Sequence, residues 1–209
     1  MGSKGEQTRE QILATAEKLI LGNGYSATSI EQIINESGIT KGGFFYHFDG
    51  KNDLARKLIL RYLEQDEIFF QSLKDRAVSL TEDPLQQLLL FLKLMAEAME
   101  DLPGSHPGCL VASFTYESNQ FDDEVRKLTA DGLLSWRGFF TKQLERVLEQ
   151  HTMTIEQPVE QLADMLTSVI EGGIILSRTL NDKTILPNQL LRFRDYIRLL
   201  FVEKTSVTH

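Results

Sequence analysis

Apolar residues recur at helical spacing along nearly the whole chain, and no stretch alternates as a half-buried strand would. Residues 8–22 open with the T-x-x-Q pattern of a capped helix start and place Ile12, Leu13, Ala16, Leu19 and Ile20 on one face. Gly22-Asn23-Gly24 ends that helix. Thr28-Ser29-Ile30-Glu31 is a T-x-x-E capping box, which predicts a helix from about Ser29 with Ile30, Ile33 and Ile34 inward. Ser37-Gly38 closes it, because glycine tolerates the left-handed conformation of a helix end. Thr40 then caps a short helix over 41–48. A long helix follows over 51–79, spanning roughly 40 Å at the helical rise per residue. Pro84, Pro158 and Pro187 are suited to helix starts and predict helices over 84–101, 158–180 and 187–202. Between them, 102–107 reads as a loop, and 109–119 and 122–151 as helices. The expected fold is all-α, with about nine helices.

Composition changes this picture little. A hydrophobic content of 42% supports a sizeable core, and no run of about 18 apolar residues suggests a membrane span. The polar opening from Met1 to Gln7 lacks a signal-peptide pattern. A single cysteine excludes an internal disulfide, and together these features predict a cytoplasmic protein. His47, His106, His151 and His209 are dispersed without a metal-ligand pair, and no glycine-rich phosphate loop is present. No enzyme activity, cofactor or metal is expected.

Candidate chemistry gathers in residues 28–51. Two helices joined by a short glycine-containing turn are the pattern of a helix-turn-helix. Gly42 and Gly43 fall in the first turn of the second helix, where each costs roughly 1 kcal/mol relative to alanine. Close approach of a DNA strand would account for them. Thr28, Thr40, Lys41, Phe45, Tyr46, His47 and Lys51 complete the candidate DNA face, most of them offering donors suited to phosphate oxygens. Phe44, Phe45 and Phe48 cannot all face DNA, so at least two are expected beneath the helix. The net charge of −8 runs against a DNA binder until it is divided along the chain. Residues 1–62 carry 8 Lys and Arg against 7 Asp and Glu, and the remainder 14 against 23. The acid therefore lies mostly outside the proposed head, where the local field matters most.

Thr8-Arg9, Ile12-Leu13, Ala16, Gly24-Tyr25, Thr28, Ile33, Gly38, Thr40-Lys41-Gly42, Tyr46-His47-Phe48 and Lys51 agree in order and spacing with the DNA-binding domain of TetR-type transcriptional regulators, which residues 8–60 resemble. Phe45 departs from the family pattern, which has a smaller or aliphatic residue there more often. The resemblance implies phosphate or base contacts at Thr40, Lys41, Tyr46, His47 and Lys51. It also implies a three-helix DNA-binding domain over 1–50 and a larger ligand-binding and dimerisation domain over 51–209. The implied partners are a double-stranded, pseudo-palindromic operator, a small-molecule effector and a second copy of the chain.

Beyond the head, the pattern leaves alternatives open. The last two helices are apolar on more than one stripe, which suits either a hairpin buried in one subunit or a bundle shared by two. Leu166, Ile170, Ile174, Ile197 and Phe201 are the candidate interface residues. Phe69, Phe91, Met95, Met99, Cys109, Phe114, Trp136 and Phe140 are candidates for an effector chamber, although such residues also make ordinary cores. Cys109 stands at an expected helix start, where a dipole lowers a thiol pKa. The segment around it, with Phe121-Asp122-Asp123-Glu124, resembles a branch of the family that includes electrophile sensors. The two readings of Cys109 are a covalent sensor and a small buried hydrophobe. A helical interaction module without DNA binding would leave the paired glycines and clustered donors unexplained.

Overall fold

The computed structural model describes residues 4–204, which form nine α-helices, a short 3-10 turn and one pair of short strands. Residues 1–3 and 205–209, the ends of the two expected domains, lie outside the described residues. In chain order the elements are α1 (Lys4–Asn23), α2 (Ile30–Ser37), α3 (Lys41–His47), α4 (Lys51–Leu80), α5 (Pro84–Glu100) and α6 (Leu110–Tyr116). They continue with the turn Ser118–Gln120, α7 (Asp123–Gln150), β1 (His151–Met153), α8 (Val159–Thr179), α9 (Ile185–Leu200) and β2 (Phe201–Glu203).

The expected helices are all present, with corrections at their ends. Helix α1 begins at Lys4, so Thr8 lies inside it and donates its hydroxyl to the Lys4 carbonyl at 3.0 Å instead of capping. Helix α9 begins two residues before Pro187 and stops at Leu200. Its continuation, β2, pairs antiparallel with β1, matching Met153 with Phe201 and His151 with Glu203. No strand was expected. Three residues on each side are too few for alternation to stand out from a helix end.

The chain gathers into two compact units rather than dividing once along its length. One comprises Met1–Asp66 with Pro107–Leu133, and the other Glu67–His106 with Leu134–His209. Two of the boundaries fall inside α4 and α7 and the third in the loop between α5 and α6, so α6 and the start of α7 belong with the helix-turn-helix.

The first unit is centred on Ile12, Leu13, Ala16, Ile33, Phe44, Leu54 and Leu58, all fully buried. Arg61 of α4 joins this core to α1, donating to Glu10 at 2.7 Å and to Glu17 at 2.5 Å. In the second unit, α9 packs against both α5 and α8. Asp83 caps α5 by accepting the Gln86 N–H at 2.7 Å. Leu162, Leu166, Ile174, Leu190, Phe193, Ile197 and Phe201 are buried within this one chain. Among the described residues no helix is long and apolar enough to cross a membrane.

Gly173 marks a close approach of α8 to α9. A Cβ there would stand 2.7 Å from Leu186 Cδ1 and 3.2 Å from the Leu186 backbone Cα. The adjacent Gly172 meets nothing within 4 Å. Overpacking of this kind costs about 1–3 kcal/mol, against about 1 kcal/mol gained by removing glycine from a helix. Gly173→Ala is therefore expected to lower the melting temperature by several degrees. Gly172→Ala should leave the melting temperature of an isolated chain unchanged or raised. Equal melting of the two variants would show that the Gly173 contact does not limit the packing of the hairpin.

Candidate nucleic-acid interface

Helix α2 is capped by Ser29, whose side chain accepts the Gln32 N–H at 3.0 Å, and it ends at Gly38 with φ of +66°. The cap expected at Thr28 belongs to its neighbour. Thr28 is fully buried and donates its hydroxyl to the Gly24 carbonyl at 2.8 Å, so it braces the preceding turn. This removes Thr28 from the DNA face. Thr40 caps α3 by accepting the Gly43 N–H at 3.1 Å. Its hydroxyl proton is left to donate elsewhere.

Helix α3 has two sharply different faces. Phe44 and Phe48 are buried, with their rings 5.4 Å apart. Lys41 and Gly42 are exposed, Phe45 is 45% exposed, and Tyr46 is 81% exposed. His47 is half-buried, with its ring edge-on to Tyr46. The paired glycines also separate. A Cβ on Gly42 would meet open space, whereas one on Gly43 would stand 2.8 Å from Ile39 Cγ2. Gly43 is thus explained by packing of the turn, and only Gly42 keeps the exposed backbone that a close partner needs.

The far end of α3 is fastened to α4. Lys57 Nζ donates to the His47 carbonyl at 2.9 Å and to Asp53 Oδ2 at 2.8 Å, and lies over the Phe48 ring. Asp53 also accepts from Arg56 at 2.7 Å and from the Asp49 N–H at 3.1 Å. Burial alone would raise the Asp53 pKa, but the hydrogen bonds from Lys57, Arg56 and Asp49 outweigh it and hold it at about 2. Lys51 is also engaged, donating to the Tyr25 carbonyl at 2.6 Å. Burial lowers its pKa against the opposing charge of Glu117.

The remaining candidates are divided between the two units. Phe69, Phe91, Met95, Met99, Trp136 and Phe140 belong to the second unit, and Cys109 and Phe114 to the first. Phe91 and Phe140 join Phe70 and Phe139 in a ring cluster with centroids 5.3–6.4 Å apart, and Phe69 touches it through Phe70. Phe139 stands beside Phe140 in the pattern and shares its place, whereas Phe70 was missed although it adjoins Phe69. Cys109 is buried and is the N-cap of α6, its sulfur accepting the Ala112 N–H at 3.4 Å. On the last two helices Leu166, Ile174 and Ile197 are buried within the chain and Ile170 is half-buried, and Phe201, now in β2, is buried as well, so these four buried residues have little surface left for a partner. The exposed apolar side chains there are Met165, Ile175, Leu176, Leu180 and Leu199.

The same architecture occurs in known proteins. Residues 12–58 match the model of bacterial regulatory proteins of the tetR family, and residues 84–190 that of the tetracyclin repressor-like C-terminal domain. An uncharacterized HTH-type transcriptional regulator, YxaF of Bacillus subtilis, is 32% identical over 185 residues, covering 88% of this chain and 91% of its own. The HTH-type transcriptional regulator LmrA of the same organism is 31% identical over 181 residues, covering 85% and 89%. A TetR-family regulator from Agrobacterium tumefaciens has the same fold with a TM-score of 0.78 at 21% identity, covering 95% of this chain and all of its own. The chain belongs to the TetR family of bacterial transcriptional regulators.

The Asp53 network has a pH signature. A carboxyl held at about 2 when folded, against an ordinary value near 3.8, stabilises the protein above pH ~4. That contribution is lost as pH falls from there through about 2. Asp53→Asn is expected to lower the melting temperature at pH 7 and to narrow the gap from wild type as pH drops below 4. A gap that stays constant from pH 7 to pH 2.5 would mean that the charge of Asp53 does not hold the corner between α3 and α4.

Proposed function

We propose that this regulator is a homodimeric repressor that binds a pseudo-palindromic operator and releases it when a small molecule binds its larger domain. The observation that carries the reading is the two-faced α3. Its phenylalanine anchors are buried, while Lys41, bare Gly42 and the phenol of Tyr46 face solvent. A tyrosine that is 81% exposed gains little from packing, and its hydroxyl is suited to a phosphate oxygen. Thr40, Lys41, Tyr46 and His47 would position the head on the backbone. Phe45 and Gly42 would lie against the groove. Lys51 has donors to spare beyond the one given to Tyr25.

A single head with so little net positive charge binds weakly, which favours two heads acting together. The exposed apolar side chains of α8 and α9 support such pairing. Met165, Gly172 and Leu176 follow one another along one side of α8, about two turns and then about one turn apart, and Leu199 adds to the apolar surface of α9. We place the dimer face on these residues in place of the buried set expected from the sequence. Two recognition helices would then enter successive major grooves about 34–36 Å apart. The ring cluster of Phe70, Phe91, Phe139 and Phe140, with Met95 and Met99 on the neighbouring turns of α5, is the proposed seat of an apolar effector. Its binding would favour the state that cannot hold DNA. Cys109, buried and engaged as a cap, supports a core role over covalent sensing. The protein would work in the bacterial cytoplasm, where the operator is.

Fluorescence anisotropy with a duplex from the chain's own upstream region tests the DNA reading. Affinity should fall steeply with salt. Tyr46→Phe should weaken binding across sequences, and Lys41→Ala should also flatten the salt dependence by about one unit of slope per head. Lack of binding to any upstream duplex at low salt would remove the proposed function. Unchanged affinity and slope in Lys41→Ala would take Lys41 off the DNA face.

Sedimentation tests the dimer. Leu176 is 45% exposed in the single chain, so Leu176→Asp should keep the helical circular dichroism of wild type. In a dimer it would place an unpaired charge in the interface, and the protein should sediment as a folded monomer. A stable dimer of Leu176→Asp would move the interface elsewhere.

A further inference from the structure

Glu117, the residue that follows α6, lies outside the proposed DNA face, yet its carboxylate holds the turn that links α1 to α2. One oxygen accepts the Tyr25 N–H at 2.6 Å, and the other accepts the Ser26 N–H at 2.8 Å together with the Ser26 hydroxyl. Gly24, at φ +89°, leaves room for the carboxylate, since a Cβ there would stand 3.0 Å from Glu117 Oε1. The opposite side of the turn is held by α4. Lys51 donates to the Tyr25 carbonyl at 2.6 Å and lies 4.1 Å from its ring centroid, and the Tyr25 hydroxyl donates to Asn52 at 3.2 Å. The Tyr25 ring itself is buried against Phe114 and Phe121, with centroids 5.8 Å and 4.4 Å away.

We infer that Glu117 is a positioning residue for operator binding, through which α6 fixes the Tyr25–Ser26 turn and with it the setting of the helix-turn-helix; this rests on the DNA-binding role proposed above. The segment Pro107–Leu133 leaves the second unit and returns to it along the chain. Glu117 fastens that segment to a turn more than ninety residues earlier in the sequence. Three donors converge on one anionic group, and hydrogen bonds to charged groups are the strong ones. Burial would by itself raise the Glu117 pKa, but the bonds from Ser26 and Tyr25 and the Lys51 charge outweigh it, so the acceptor is ionised at neutral pH. Freed of the carboxylate, the turn samples more conformations, and only a fraction of heads presents α3 in register with the groove. Apparent affinity falls by that fraction.

Glu117→Gln tests this, because it keeps the side-chain volume but turns an amide NH2 toward backbone donors. Operator affinity, read by anisotropy, is expected to fall about tenfold, the effect of losing one charge-assisted bond. Sedimentation should be that of wild type. Amide hydrogen exchange of Tyr25 and Ser26 should quicken, which a surface acid without this role would not cause. Glu117→Asp, which retains the charge on a shorter arm, should restore part of the affinity. Adding Ser26→Ala to Glu117→Gln should change little further, whereas adding Lys41→Ala should contribute its full separate effect. Wild-type affinity in Glu117→Gln, unchanged exchange at Tyr25 and Ser26, or full additivity with Ser26→Ala would each overturn the positioning role while leaving the DNA reading standing. A wild-type protein without operator affinity would instead remove both. If Glu117→Gln fails to fold, Ser26→Ala carries the test alone, with a smaller loss of affinity expected and an unchanged one counting against the role.

Discussion

A helix of seven residues does not sustain itself in water, and α3 is seven residues long. Two glycines in its first turn weaken it further. Its existence therefore depends on what grips it from outside. Phe44 and Phe48 are buried in the first unit, Thr40 satisfies an N–H at one end, and Lys57 takes the His47 carbonyl at the other. Because the grip comes from the inner face and the ends, the outer face is free of structural duty. Its composition can follow the needs of a nucleic-acid partner, which is why an exposed tyrosine and a bare glycine are tolerated there. The corner after α3 repeats the logic. Asp53 converts three neighbouring donors into one rigid joint between α3 and α4.

Much of this was legible in the sequence because helices advertise themselves through periodicity and caps. The segment Ile30–Ser37 could be bounded from Gly38 and the capping pattern, and the crowding of Phe44, Phe45 and Phe48 required at least two of them beneath the helix. The pattern could not choose between adjacent hydroxyls. Thr28 and Ser29 both precede α2, and only the geometry gives the cap to Ser29 and the buried brace to Thr28. Nor could local pattern separate the roles of Gly42 and Gly43, because the constraint on Gly43 comes from the side chain of Ile39 across the turn. Glu117 was invisible for a stronger reason. Its partners are more than ninety residues away, and no local signal distinguishes a carboxylate that clamps a distant turn from one that is merely solvated.

The hairpin of α8 and α9 shows a different limit. A helix apolar on several stripes announces that it has more than one neighbour, but not which stripe meets which neighbour. The large residues Leu166, Ile174 and Ile197 are conspicuous in the pattern, and the chain's own packing of α5, α8 and α9 buries them. What remains outside is less conspicuous in sequence: Met165, a glycine with open space above it, Leu176 and Leu199. The strongest hydrophobes of such a helix are best assigned to the core of its own chain.

Charge ties the proposed assembly to DNA recognition. The head carries 8 Lys and Arg against 7 Asp and Glu, and four of the eight already have duties inside it. Arg56 and Lys57 hold Asp53, Arg61 holds Glu10 and Glu17, and Lys51 holds the Tyr25 turn. These cations build the platform rather than a field directed at DNA. Non-specific attraction to a duplex grows with the number of phosphates neutralised, so a head of this kind has only a modest attraction to begin with. Linking two heads makes the second contact intramolecular and multiplies affinity without adding charge. In the proposed dimer, binding would be sensitive to the setting of each head, because two recognition helices would have to match two grooves at once. A sparse electrostatic face thus makes rigid positioning of α3 matter more, and the joints at Asp53 and Tyr25 supply that rigidity.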